Sequence, residues 1–190
     1  MLQLAEIFYS IQGEGTYSGT PAVFVRLAGC NLACDFCDTD YSLKFLATVE
    51  DVVRMVREAG GDCPMVILTG GEPLAQRETR ALIDALQADD RRVHIESNGT
   101  IATELPSDVW LCVSPKQRVH PAMAARANEV KLIVDERVPT EWLDLFAQST
   151  ILLQPEGNKR KNIDIALEYA KTHPKRFRLS LQTHKMIGVR

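Results

Sequence analysis

Apolar runs that end in polar clusters constrain this chain most. "PAVFVRLAG" (21–29), "PMVILTGG" (64–71), "RVHIESNG" (92–99), "VWLCVSPK" (109–116), "EVKLIVDE" (129–136), "TILLQPEG" (150–157) and "FRLSLQTHK" (177–185) read as strands. Most are continuous rather than alternating, the pattern of strands buried on both faces of a parallel sheet. Helical patterns lie between several of them. One covers 48–61, with Thr48 as N-cap and acids in its first turn; another covers 74–89, with Leu82, Ile83 and Leu86 on one face. Two more cover 139–149 and 162–174. The alternation predicts an α/β fold of mostly parallel strands with few helices. Polar words follow the strands: "GCNLAC", "TGGEP", "ESNGT", "SPK", "QPEG" and "QTHK". In a parallel sheet or barrel these ends share one rim, where ligands bind. Ordinary polar loops would explain Gly, Ser and Asp there, but less easily the repeated Lys, Gln, His and Glu.

The bulk numbers narrow the class. The chain has 190 residues, 45% apolar and 25% charged, the proportions of an ordinary globular protein. No linker, repeat or low-complexity segment breaks it, so a single domain over 1–190 is expected. Formal charge is 22 − 25 = −3, which argues against a nucleic-acid partner. No apolar run reaches the ~20 residues of a membrane span. "MLQLAEIFYSIQGEG" lacks the basic and apolar regions of a leader. Five cysteines, three of them clustered, fit a reducing cytoplasm better than a disulfide framework.

Those three are Cys30, Cys34 and Cys37, spaced C-x3-C-x2-C in "GCNLACDFCDT". Thiolates are soft ligands for iron or zinc. A zinc site needs a fourth ligand, and His94, His120, His173 and His184 are all remote in sequence. An iron–sulfur cluster normally takes four cysteines. With three, one iron keeps an open position for a substrate or cofactor. Cys112 lies within an apolar strand and Cys63 just before one, so both read as small core residues. In "TGGEP" (69–73) the two glycines allow a ligand close to the backbone, while a plain strand-to-helix turn with Pro73 at the helix start is the simpler alternative.

C-x3-C-x2-C after one strand and "GGEP" after the next resemble the radical S-adenosylmethionine superfamily. "EIFYSIQGEGTYSGTPAVFVRLAGCNLACDFCDT" (6–39), "ESNGT", "SPK", "LLQP" and "LSLQTHK" resemble, in order and over nearly the whole chain, the 7-carboxy-7-deazaguanine synthase family within it. The resemblance implies an incomplete TIM-like barrel and a radical lyase. It would contract 6-carboxy-5,6,7,8-tetrahydropterin to 7-carboxy-7-deazaguanine with loss of ammonia, on the path to queuosine and other 7-deazapurines. It implies a 4Fe–4S cluster on Cys30, Cys34 and Cys37, whose open iron is chelated by S-adenosylmethionine, cleaved there to a 5′-deoxyadenosyl radical. It implies Mg²⁺ on Thr39, a homodimer, and an electron donor such as a flavodoxin or ferredoxin.

Residue by residue, the resemblance places Phe36, Asp38, Gly71, Ser114, Pro115, Lys116, Gln154, Pro155, Glu156 and Gly157 at the cofactor. It places Ile11, Gln12, Gly13, Glu14, Arg26, Thr69, His184 and the terminal Arg190 at the pterin. Arg26 can pair with the pterin carboxylate through two parallel hydrogen bonds. Glu14 can accept from an amino group, and Glu96 points to the same rim. Two rivals stay open: a small activase of a glycyl-radical enzyme, and a non-catalytic iron–sulfur or zinc module.

Overall fold

A computed structural model of the chain describes residues 1–146 and 149–190. The chain divides into two compact units, one of residues 1–10, 21–97 and 103–111, the other of 11–20, 98–102 and 112–190.

In the first unit the strands are β1 (Leu2–Ile11), β2 (Pro21–Leu27), β3 (Phe45–Ala47), β4 (Met65–Gly70) and β5 (Arg92–Ser97). They lie in the order β3-β1-β2-β4-β5. β3 runs antiparallel to β1; β2, β4 and β5 run parallel, with Arg26 in register with Thr69. The β4 side chains Met65 to Leu68 are all buried, which is why the run carries no alternation. β1 carries no clean signal because its pattern mixes apolar and polar residues; Leu2, Leu4 and Phe8 are its buried side.

Helix α1 (Val49–Gly60) begins where the sequence places it. The Thr48 hydroxyl accepts from Asp51 N (3.1 Å), and Asp51 Oδ2 accepts from Thr48 N (3.3 Å), a reciprocal capping box. Thr48→Ala is expected to cost about 0.5–2 kcal/mol of stability. Urea unfolding checks this as a lower midpoint at unchanged slope.

The helix expected from residue 74 starts later, as α2 (Thr79–Ala88), after a 3₁₀ turn at Pro73–Ala75. Gln76 leaves the helical conformation because its amide zips onto β1. It donates to Gln3 O (2.8 Å) and Ala28 O (3.1 Å) and accepts from Gln3 N (2.8 Å). Leu82, Ile83 and Leu86 form the buried face as expected.

β6 (Trp110–Val113) straddles the boundary between the units. The second unit then holds α3 (Pro121–Arg126), β7 (Glu129–Val134), β8 (Thr150–Pro155), α4 (Arg160–Thr172), β9 (Phe177–Leu179) and α5 (Thr183–Ile187). β7, β8 and β9 are parallel neighbours, and Cys112 and Val113 pair with Glu129 and Val130. The helix expected over 139–149 is instead a 3₁₀ turn, Thr140–Trp142, then turns to Phe146; Ala147 and Gln148 lie outside the described residues. Side chains hold this stretch: Arg137 grips Glu141, and Arg176 Nη2 donates to Leu143 O (2.5 Å). The last strand, expected to 185, stops at Leu179 because the following residues turn to meet the loop at 11–20.

Candidate functional site

In the first unit, β2 delivers the chain into the cysteine loop through Ala28 and Gly29. Gly29 N donates to Tyr41 O (3.0 Å), which closes the loop at its base. Cys30, Cys34 and Cys37 are thiols rather than disulfides, the first two half-buried and the third exposed. Leu32 N donates to Cys30 Sγ (3.4 Å), and Cys37 N to Cys34 O (3.1 Å). The Tyr41 phenol is pushed up, first by desolvation and then by repulsion from Cys37, Cys30 and Cys34 in their thiolate form. Cys63 and Cys112 are buried, in line with their core reading.

"TGGEP" is seated on the root of this loop. Gly71 N donates to Leu27 O (3.2 Å) and Glu72 N to Gly29 O (3.0 Å). A Cβ on Gly71 would lie 1.8 Å from Gly29 O and 2.9 Å from Cys30 Cβ; one on Gly70 would lie 2.0 Å from Leu27 O. Both glycines are therefore required by close approach. Glu72, fully buried, accepts from Leu74 N (3.1 Å) and from the Ser97 hydroxyl (2.9 Å), tying the turn to the end of β5. Three thiols from one loop beside an open-backbone glycine turn are a donor set that fits a cluster with three protein ligands.

Other expected residues of this unit lie on the same strand ends. Arg26 Nε donates to Glu6 Oε1 (2.7 Å), and its guanidinium lies 5.7 Å from the Phe8 ring centroid. Thr69 is its register partner. Thr39 is half-buried and Asp38 and Phe36 exposed. Asp40, beside Thr39, is lowered to about 2 by hydrogen bonds from the Ser42 hydroxyl and backbone and from Lys44, so it stays negative. Glu96 Oε1 lies 3.4 Å from Nε2 of the buried His94.

The second unit is organised around loop 11–20, whose polar groups are taken up one after another. Gly13 O accepts from both Thr183 N and Thr183 Oγ1 (2.9 Å each). Glu14 N donates to Gln12 Oε1 (3.2 Å), Gly15 N to Ser180 Oγ (3.0 Å) and Thr16 N to Glu129 Oε2 (3.0 Å). Glu14 accepts from Lys131 Nζ (2.5 Å) and Gln182 Nε2 (3.0 Å). His184 covers Gly13: a Cβ there would fall 2.1 Å from Nδ1. Thus Gln12, Gly13, Glu14 and His184, chosen from distant words of the sequence, are assembled together. Ile11 enters the loop as the last residue of β1.

Lys116 Nζ donates to Ser114 Oγ (2.9 Å), which donates in turn to Lys131 O (3.1 Å), with Pro115 buried between them. Gln154, buried with Pro155 at the end of β8, accepts from the Ser180 hydroxyl (3.3 Å). Glu156 is ion-paired with Lys159, and Gly157 has φ +59° in the turn that follows. Arg190 is exposed; Gly188 (φ +71°) turns the tail so that Val189 N donates to His184 O (3.0 Å). Sequence reasoning missed Lys131, Glu129, Ser180 and Gln182. The available signal was charge inside an apolar run, "EVKLIV", where Glu129 and Lys131 are buried.

Comparison with known proteins agrees with this architecture. The Radical SAM superfamily profile matches residues 24–111. A 7-carboxy-7-deazaguanine synthase of Bacteroides thetaiotaomicron is 42% identical over 191 residues, covering 100% of both chains. The chain belongs to the 7-carboxy-7-deazaguanine synthase family. A family member from Bradyrhizobium diazoefficiens is 38% identical, covering 97% of each chain. The crystal structure of QueE from Escherichia coli superposes with a TM-score of 0.80 at 26% identity, covering 95% of this chain and 93% of that one. The expected α/β fold of mostly parallel strands therefore holds for this family member. It is a radical SAM enzyme, and membership brings a 4Fe–4S cluster and S-adenosylmethionine as cofactors.

Proposed function

We propose that this chain converts 6-carboxy-5,6,7,8-tetrahydropterin to 7-carboxy-7-deazaguanine with release of ammonia. The observation that carries the reading is the Gln12–Glu14 loop. Its backbone and side chains are fixed by Thr183, Lys131 and Gln182, leaving an ordered amide and carboxylate edge suited to a flat heterocycle. An activase or a bare cluster module has no use for such an edge. Substrate and product differ by one ammonia, so the conversion is redox-neutral and allows S-adenosylmethionine to be regenerated.

When bound, the cluster and S-adenosylmethionine supply radical-generating one-electron chemistry. Cys30, Cys34 and Cys37 hold the cluster. Gly71, with Phe36, Asp38, Ser114–Lys116 and Gln154–Gly157, receives the cofactor. Glu14 and Gln12 accept from and donate to the pterin edge, with Gly13 and His184 beside them. Arg26 and Thr69 orient its carboxylate side, and Arg190 adds a tail contact. Thr39 would hold Mg²⁺, a hard cation that keeps a sparse protein shell, while Asp40 keeps the surroundings negative. The reading includes a flavodoxin- or ferredoxin-like donor, a homodimer and a cytoplasmic setting. Among the described residues no helix is long and apolar enough to cross a membrane.

The test is anaerobic reconstitution with iron and sulfide, then S-adenosylmethionine, reductant, Mg²⁺ and the pterin, with products followed by mass spectrometry. The expected result is 7-carboxy-7-deazaguanine without net loss of S-adenosylmethionine. Accumulation of 5′-deoxyadenosine and methionine alone would instead favour the activase.

A further inference from the structure

Lys131 is the one lysine of β7, in a strand whose other interior positions are apolar. Its side chain is only 8% exposed, and that of its partner Glu14 15%. A buried ammonium is retained only where a charge and hydrogen bonds compensate it. Here the compensation comes from Glu14 Oε2, 2.5 Å away. The other carboxylate oxygen accepts from Gln182 Nε2 (3.0 Å). Gln182 is itself oriented, because its Oε1 accepts from Lys185 Nζ (3.0 Å) and so turns the NH₂ toward Glu14. One carboxylate is thus aimed by β7 and by the segment leading into α5.

We infer that Lys131 is a positioning and specificity residue: it holds Glu14 ionised and aimed, so that Glu14 selects a ligand presenting adjacent N–H donors, the cyclic-guanidine edge of a 2-amino-4-oxo heterocycle. An ionised carboxylate offers about four acceptor sites on its two oxygens, so it can take ligand N–H groups as well as protein donors. An ionised carboxylate accepts from two neighbouring N–H groups at once; a neutral carboxyl does not. A site built on such acceptors discriminates strongly against an analogue lacking the donor, because its own groups are left unpaired. Other charges near the loop are Glu129, which accepts from Thr16 N, Lys185, which donates to Gln182 Oε1, and His184 over Gly13. The inference rests on the proposed pterin reading and extends it to a residue outside the loop.

The experiment measures kcat and KM of the reconstituted enzyme on 6-carboxytetrahydropterin and on its 2-deamino analogue. The variants are Glu14→Gln, Lys131→Met, their double mutant and Lys131→Arg. Wild type should prefer the amino substrate by about a hundredfold or more. Glu14→Gln and Lys131→Met should each cut that preference to within about tenfold, mainly through KM, and the double mutant should be no worse than either single one. Lys131→Arg should restore most of it. If Lys131→Met unfolds, Lys131→Gln, which keeps N–H donors but no charge, reads the same ratio. Equal losses on both substrates, or multiplicative losses in the double mutant, would overturn the positioning role while leaving the pterin reading intact. Failure of wild type to convert the pterin overturns both.

Discussion

Gly71→Ala is expected to lower turnover by about ten- to a hundredfold, with S-adenosylmethionine cleavage falling in parallel. A Cβ at this position meets Gly29 O at 1.8 Å, Gly29 C at 2.4 Å and Cys30 Cβ at 2.9 Å. None of these is the far end of a flexible side chain, so relief requires "TGGEP" and the cysteine loop to separate. Overpacking of this kind costs roughly 1–3 kcal/mol, and each ~1.4 kcal/mol in a barrier is a factor of ten. On the proposed function the displaced backbone is the part that receives the cofactor, so the cost falls on chemistry as well as on stability. Gly61→Ala separates clash from backbone strain. Gly61 has φ +57° at the end of α1, but a Cβ there meets nothing within 4 Å. It should lose about 1 kcal/mol in urea unfolding and keep wild-type turnover. Iron and sulfide content of reconstituted Gly71→Ala, with its rate of 5′-deoxyadenosine formation, makes the check. A wild-type rate would mean that the seating of the glycine turn on the cysteine loop is dispensable.

What could be read from the sequence follows from how local each signal is. Cys30, Cys34 and Cys37 lie within one loop, so their chemistry is written in spacing alone. Continuous apolar strands such as Met65–Gly70 announce themselves because both faces are covered. Thr48 and Asp51 make a cap within one turn, and the cap forms as written. Errors arise where a distant side chain overrides local preference. Gln76 fits a helix by propensity, yet two backbone groups of β1 and a loop carbonyl compete for its amide and win. The stretch from Phe177 reads as one long strand, but Thr183 and His184 are drawn into α5 by Gly13, some 170 positions earlier in the chain. Lys131 shows the same limit from the other side. A lysine in an apolar run is ambiguous until its partner is known, and Glu14 is 117 residues away.

Gly13→Ala carries the second large effect, and it tests whether His184 and the loop form one working surface. The added Cβ would lie 2.1 Å from His184 Nδ1, 2.6 Å from Cγ and 2.7 Å from Cβ. Rotating the imidazole about χ1 moves the first two atoms but not the third. The start of α5 must therefore shift, and with it the two hydrogen bonds that Gly13 O accepts from Thr183. The expected result is a rise of about ten- to a hundredfold in KM for the pterin, on the same overpacking scale. Iron content should be unaffected, because the three nearest atoms that the new Cβ meets all belong to His184. Adding His184→Ala to Gly13→Ala removes the two ring contacts and keeps the Cβ contact. The double variant should then unfold at a higher urea concentration than Gly13→Ala alone, yet recover only part of the affinity, since the imidazole is lost as a hydrogen-bonding group. Full recovery of KM in the double variant would show that His184 only fills space over Gly13. A KM unchanged in Gly13→Ala would show that the loop and α5 do not bind the substrate as one surface.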